Sequence, residues 1–294
     1  MLIHSASQLL TLTKDPQRGH ELGQLNIIDD GAVRIADGEI SAVGSSQELM
    51  AAYPDDELVD AQGRVVIPGF VDPHTHVIWA GDRAKEFEQR LEGKTYLEIL
   101  AEGGGILSTV KNTRAAKSEE LINATRSRLQ AMFAHGTTTV EAKTGYGLDT
   151  QVELKLLHAL VTLAQEGPWD LAFTFLGAHA IPAEYAGRTD EYTKLVCQTM
   201  LPDVKKWWQT NCADMPLPFV DVFCETGAFN LEQTRKILEV GRQLGFPLKL
   251  HADEFDNLGG TSLGVELGAT SIDHLVAASD EDIRRLAESS TVAV

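Results

Sequence analysis

From Val65 onward, short apolar runs alternate with amphipathic stretches, and that alternation restricts the chain to a parallel sheet covered by helices. The strand candidates are VVIPGFVD, GTTTVEAKTG, DLAFTFLGAHA, FVDVFCET, PLKLHADE, TSIDHL and STVAV. Helical patterns such as SEELINATRSRLQAMFAHG and LEQTRKILEVGRQLG separate them. Seven strands are one short of a closed (β/α)8 barrel, so the expected fold class is α/β: a TIM barrel over residues 67–294, truncated at its C-terminus, with about seven strands present. The run AEYAGRTDEYTKLVCQTMLPDVKKWWQTNCADMP after the third strand is a long excursion, expected to shape the mouth of the site.

Residues 1–66 have a different rhythm. The stretch QLNIIDDGAVRIADGEISAVG places Asp-Asp-Gly and Asp-Gly between branched apolar residues, which is hairpin chemistry. This segment is expected to be the N-terminal part of a small β-sandwich module.

Charge narrows the function classes. The chain of 294 residues carries 25 Lys plus Arg against 43 Asp plus Glu, a formal net charge of -18. Such a field repels phosphate backbones and anionic lipid surfaces, so neither nucleic acid nor a membrane is expected as a partner. An anionic substrate would need a local cation. Three cysteines, Cys197, Cys212 and Cys224, form no CxxC pair and point to a reducing cytoplasmic setting. No apolar run approaches the roughly 20 residues of a membrane span, and the N-terminus has no secretory pattern.

The chemistry concentrates in PGFVDPHTH. Side chains two apart on a strand share a face, so His74 and His76 point together, and the C-terminal end of a barrel strand puts them at the mouth. That is a two-nitrogen claw for one cation, with solvated or hydrogen-bonded histidines as the bland alternative. Arg83 lies seven residues beyond His76, and a guanidinium fork matches a carboxylate, although such an Arg often pairs only with neighbouring acids.

The segment PGFVDPHTH after a small β module resembles the entry to the amidohydrolase superfamily of metal hydrolases. HTHVIWAGDRAKEFEQRLEGKTYLEILAEGGGILSTV, GTTTVEAKTGYGL, TFLGAHAIP, DVFCETGAF and LHADEFDNLGGTSLGVELGATSIDHL narrow the resemblance to the imidazolonepropionase family. It runs from about Gly31 to Val294.

The resemblance implies one divalent or trivalent metal ion, zinc or iron, with His74, His76 and His251 as ligands and an Asp on an eighth strand completing the set. Three protein ligands that leave room for water are usual in zinc hydrolases. Glu254 is implied as the proton-transfer group beside the substrate. His274 would donate a hydrogen bond to the carbonyl under attack, with a structural histidine as its competitor. Arg83, Tyr96, Tyr146, His179 and Glu254 match substrate-contacting positions. The implied reaction opens the lactam of 4-imidazolone-5-propanoate to N-formimidoyl-L-glutamate in histidine degradation, and the implied assembly is a homodimer. The rival readings are another amidohydrolase, either a cyclic amidase or a ring deaminase, and an inactive scaffold that lacks the last metal-ligand strand.

Overall fold

A computed structural model describes residues 1–12, 17–94, 98 and 104–294. The chain divides into two compact units, Met1–Gly69 and Phe70–Val294.

The first unit is built on one five-stranded sheet. Strand β1 (Leu2–Leu10) pairs antiparallel with β2 (Ile27–Ala36), which pairs antiparallel with β3 (Glu39–Ser45). Strands β4 (Leu58–Asp60) and β5 (Val65–Val66) run parallel to β1. Asp37 and Gly38 both adopt positive φ between β2 and β3, the twist that a two-residue hairpin requires. The earlier Asp-Asp-Gly is not a turn. It lies inside β2, where a Cβ on Gly31 would come 2.4 Å from the Leu9 Cβ, so glycine there serves close strand approach. The helix Ser46–Ala52 is closed by a Ser45–Glu48 capping box, and its Leu49 packs with Leu2 and Ala32. Among the described residues this unit shows one sheet, and a second sandwich layer is not seen.

The second unit contains seven parallel strands: β6 (Phe70–Thr75), β7 (Thr137–Lys143), β8 (Asp170–Ala178), β9 (Phe219–Cys224), β10 (Lys249–Ala252), β11 (Ser271–His274) and β12 (Val292–Ala293). They lie side by side in chain order. VVIPGFVD therefore divides at Pro68-Gly69: Val65–Val66 joins the first sheet, and the second begins at Phe70.

Alternation along these strands sorts the side chains. Val140, Ala142, Val220, Val222, Leu250 and Ile272 face the helices in one apolar core. The alternate positions Glu141, Lys143, Asp221, Lys249, His251 and Asp273 are polar yet buried. These polar side chains meet across the sheet, which measures its curl. His74 on β6 lies 2.9 Å from Asp273 on β11, five strands away. In a flat sheet the two strands would stand about 24 Å apart. The sheet is therefore strongly curled around its polar face.

The long segment between β8 and β9 proves to be a crossover, not a mouth excursion. Its helical turns Thr189–Leu195, Val196–Met200 and Leu201–Asn211 bury Tyr192, Val196, Met200, Leu201, Val204 and Trp208 in the apolar core. Their spacing of three to four residues makes one helical stripe, and a parallel sheet needs such a crossover. Cys197, Cys212 and Cys224 are buried free thiols. No described helix is long and apolar enough to cross a membrane.

Candidate metal centre

Four histidine rings crowd the C-terminal ends of the strands. His74 is the penultimate residue of β6, His76 follows directly after the strand, His251 sits in β10, and His274 closes β11. The centroids of His74 lie 5.2 Å from His76, 4.7 Å from His251 and 5.0 Å from His274. The Nε2 atoms of His76 and His251 face each other at 3.3 Å. One ligand atom each from His74, His251 and His274 falls within a 4.8 Å cluster. Of the trio expected from the sequence, His251 lies beside both His74 and His76, but the three-histidine cluster is His74, His251 and His274, without His76.

Behind the rings stand carboxylates. His74 Nδ1 donates to Asp273 Oδ2 at 2.9 Å. His251 Nδ1 lies 2.9 Å from Asp221 Oδ2, short of an aligned hydrogen bond. A carboxylate on Nδ1 turns Nε2 outward as a bare lone pair, the arrangement in which imidazole binds metal. His76 has no hydrogen-bond partner for its buried Nδ1, so no protein acceptor or donor fixes the ring from that side. With a cation between His76 and His251, both Nε2 lone pairs are satisfied. The spacing also fits: tetrahedral ligands at about 2.0–2.1 Å stand about 3.3–3.4 Å apart.

Electrostatics favour the same occupant. Burial, with His179 and His251 nearby, holds His76 well below the usual imidazole range, so it is neutral and available as a ligand. Burial also lowers His251, although Asp221 opposes it. Burial would raise Asp221, but His251 and Lys143 hold it ionised.

A buried ion network underlies the rings. Lys143 Nζ donates to Glu141 Oε1 at 2.8 Å and to Asp221 Oδ2 and Asp273 Oδ2, each at 2.9 Å. Lys249 Nζ donates to Glu141 Oε2 at 2.6 Å and to the Pro73 carbonyl at 3.1 Å, while Thr174 Oγ1 donates to Glu141 Oε1. Three carboxylates against two ammonium groups leave one uncompensated negative charge beneath the imidazole rings.

Glu254 follows β10 in a loop that two acids pin. Asp253, fully buried, accepts from the backbone of Leu258 and from the backbone and hydroxyl of Thr261. Glu225 accepts from Phe255 N at 2.9 Å. Glu254 Oε2 lies 3.5 Å from His274 Nε2. Burial and the charge of Glu225 raise the Glu254 pKa, while burial and the neighbouring His251 push His274 down to about 4.

His179, after β8, stacks on His76 at 4.7 Å and 13°, and its Nδ1 donates to the Gly145 carbonyl at 3.1 Å. Tyr146 lies 5.2 Å from His179 and 5.8 Å from His76. Arg83 stands apart: it is bound to Glu86 of its own helix at 2.6 Å, with its side chain 46% exposed. Tyr96 lies outside the described residues. Sequence reasoning missed Lys143, Asp221, Lys249 and Asp273. Their signal was charge at every second position of strands otherwise apolar enough to be buried.

Comparison with known proteins gives the family of the chain. Residues 57–97 match the model of the amidohydrolase family. The chain is 52% identical to the imidazolonepropionase of Herpetosiphon aurantiacus, over 100% of this chain and 68% of that protein. It is 49% identical to the imidazolonepropionase of Chloroflexus aggregans, over 100% of this chain and 70% of that one. Among solved structures, guanine deaminase from Bradyrhizobium japonicum superposes with a TM-score of 0.67 at 18% identity, covering 99% of this chain and 62% of its own. A 5-methylcytosine deaminase from Klebsiella pneumoniae gives 0.65 at 17%, covering 100% and 65%. The chain therefore spans about two thirds of these relatives, and the two deaminases speak to fold alone.

Proposed function

The chain belongs to the imidazolonepropionase family, and from that premise we propose that it opens the lactam ring of 4-imidazolone-5-propanoate to N-formimidoyl-L-glutamate, with one zinc or iron ion held by His74, His76 and His251. We read the curled sheet as seven strands of a (β/α)8 barrel. The observation that carries the proposal is the facing pair of Nε2 atoms on His76 and His251, 3.3 Å apart at the strand ends with carboxylates behind the rings.

When bound, the ion would acidify a water molecule from a pKa of about 15.7 toward about 7 and polarise the lactam carbonyl. The protein's groups do the rest. Glu254, half-buried and with a raised pKa, takes a proton from the water and delivers it to the departing ring nitrogen. The neutral His274 donates a hydrogen bond to the carbonyl oxygen as negative charge develops there. Water adds to the carbonyl carbon, the ring C–N bond breaks, and the nitrogen leaves protonated.

His179 and Tyr146 border the place for a flat ring. Because His179 donates through Nδ1 to Gly145, its Nε2 remains an acceptor for a ring N–H. Glu86 engages the Nε and Nη2 edge of Arg83, so Nη1 is the donor we assign to the propionate.

The test is direct. Metal-replete protein is incubated with freshly made imidazolone propionate, and loss of its ultraviolet absorbance is followed together with formation of formimidoyl-glutamate. Turnover that disappears with a chelator is expected. Metal-replete protein that leaves the substrate intact while deaminating a nucleobase ring would replace this reading with the deaminase one.

A further inference from the structure

Beneath the imidazoles, Asp221, His251 and Asp273 form a second group whose ligand atoms all lie within 4.8 Å of one another, and all three residues are buried. Taken alone, that group has the donors of a second metal site. Its centre, however, is already filled. Lys143 Nζ touches three carboxylate oxygens, at 2.8 Å from Glu141 and 2.9 Å from both Asp221 and Asp273. We propose that the Lys143 ammonium stands in the place of a second cation and thereby limits the centre to one metal ion.

Three features support this assignment. Lys143 is fully buried, so its charge cannot be replaced by solvent. Burial alone would favour a neutral amine, but Asp221, Glu141 and Asp273 together raise its pKa, so the ammonium persists. Two of its carboxylates are shared with the metal-binding rings: Asp221 backs His251, and Asp273 backs His74. The resident charge therefore adjoins the proposed ion. A second divalent cation there would have to displace a charge that is covalently tethered and cannot diffuse away. Without the ammonium, three buried carboxylate oxygens would remain, the donor set that hard divalent ions take. An uncompensated cluster of that kind draws in a cation or a proton.

The inference rests on the reading that the histidines hold an ion, and the experiment separates the two. Apo-protein is titrated with Co(II), freed of loosely bound ion by gel filtration, and analysed for cobalt per chain and by electron paramagnetic resonance. Wild type is expected to retain one magnetically isolated ion even with excess cobalt. Lys143→Ala is expected to retain two, magnetically coupled, and Lys143→Arg to return to one. Wild type holding a coupled pair would overturn the proposal, whether or not the variant folds. So would Lys143→Ala that melts cooperatively yet stays at one ion. Wild type holding none would remove the metal reading and this inference together.

Discussion

His76 Nε2 and His251 Nε2 face each other 3.3 Å apart, although the two residues are 175 positions apart in the chain and sit at the ends of β6 and β10. Two neutral imidazoles approach in this way either because one donates to the other or because both lone pairs point at one cation. The unpartnered Nδ1 of His76 and the acid behind His251 weigh toward the second. The predictions below follow from that choice.

Asp221→Asn and Asp273→Asn each remove a carboxylate that backs a ligating ring. Metal affinity should fall by about 10- to 100-fold in either variant, as it does when such outer partners are lost elsewhere. Competition against a chromophoric chelator measures it. Unchanged affinity in both variants would show that the acids serve the lysines alone.

The pH profile should carry the signature of Glu254. Its pKa is raised, first by burial and then by Glu225, so the reactive carboxylate is present above that pKa and is lost as pH falls through it. The expected result is a kcat/KM that declines on the acid side, at a pH displaced upward from that of a solvated glutamate. His274, pushed down to about 4 by burial and His251, is neutral near neutral pH, and the Glu254 variant separates its contribution from that of the carboxylate. Glu254→Gln should abolish the limb and lower kcat by about 10²- to 10⁴-fold. An intact acid limb in that variant would assign the proton transfer to another group.

Arg83→Ala should raise KM by about 10- to 100-fold, the range of a lost charge-assisted hydrogen bond, while kcat changes little. An unchanged KM would leave Arg83 with the surface pairing to Glu86 that the structure shows.

Asp253→Ala would strip the loop that carries Glu254 of its acceptors at Leu258 and Thr261. A stability loss of about 2–4 kcal/mol in denaturant unfolding is expected, because buried donors are left unsatisfied. A loss below about 0.5 kcal/mol would mean that the loop is held by other contacts.

Much of this was legible in the chain. Periodicity revealed the seven strands, and the two-residue spacing of His74 and His76 put both at one strand end, because strand geometry is local. What escaped depends on curl. Nothing in the local sequence says that Lys143 meets Asp221 and Asp273, two and four strands away, since those distances are set by how far the sheet rolls. The segment after β8 was misread because its length drew attention before its helical stripe of Tyr192, Val196, Met200 and Trp208 did. The Asp-Asp-Gly motif misled for a related reason: Gly31 answers a long-range contact with Leu9, not a turn.

X-ray absorption spectroscopy of zinc-loaded protein tests the shared-cation claim most directly. The account predicts about three imidazole nitrogens at about 2.0–2.1 Å, with the multiple-scattering pattern of histidine rings that weakens when His76 or His251 is replaced by Asn. A spectrum of oxygen ligands alone, indifferent to both substitutions, would contradict it.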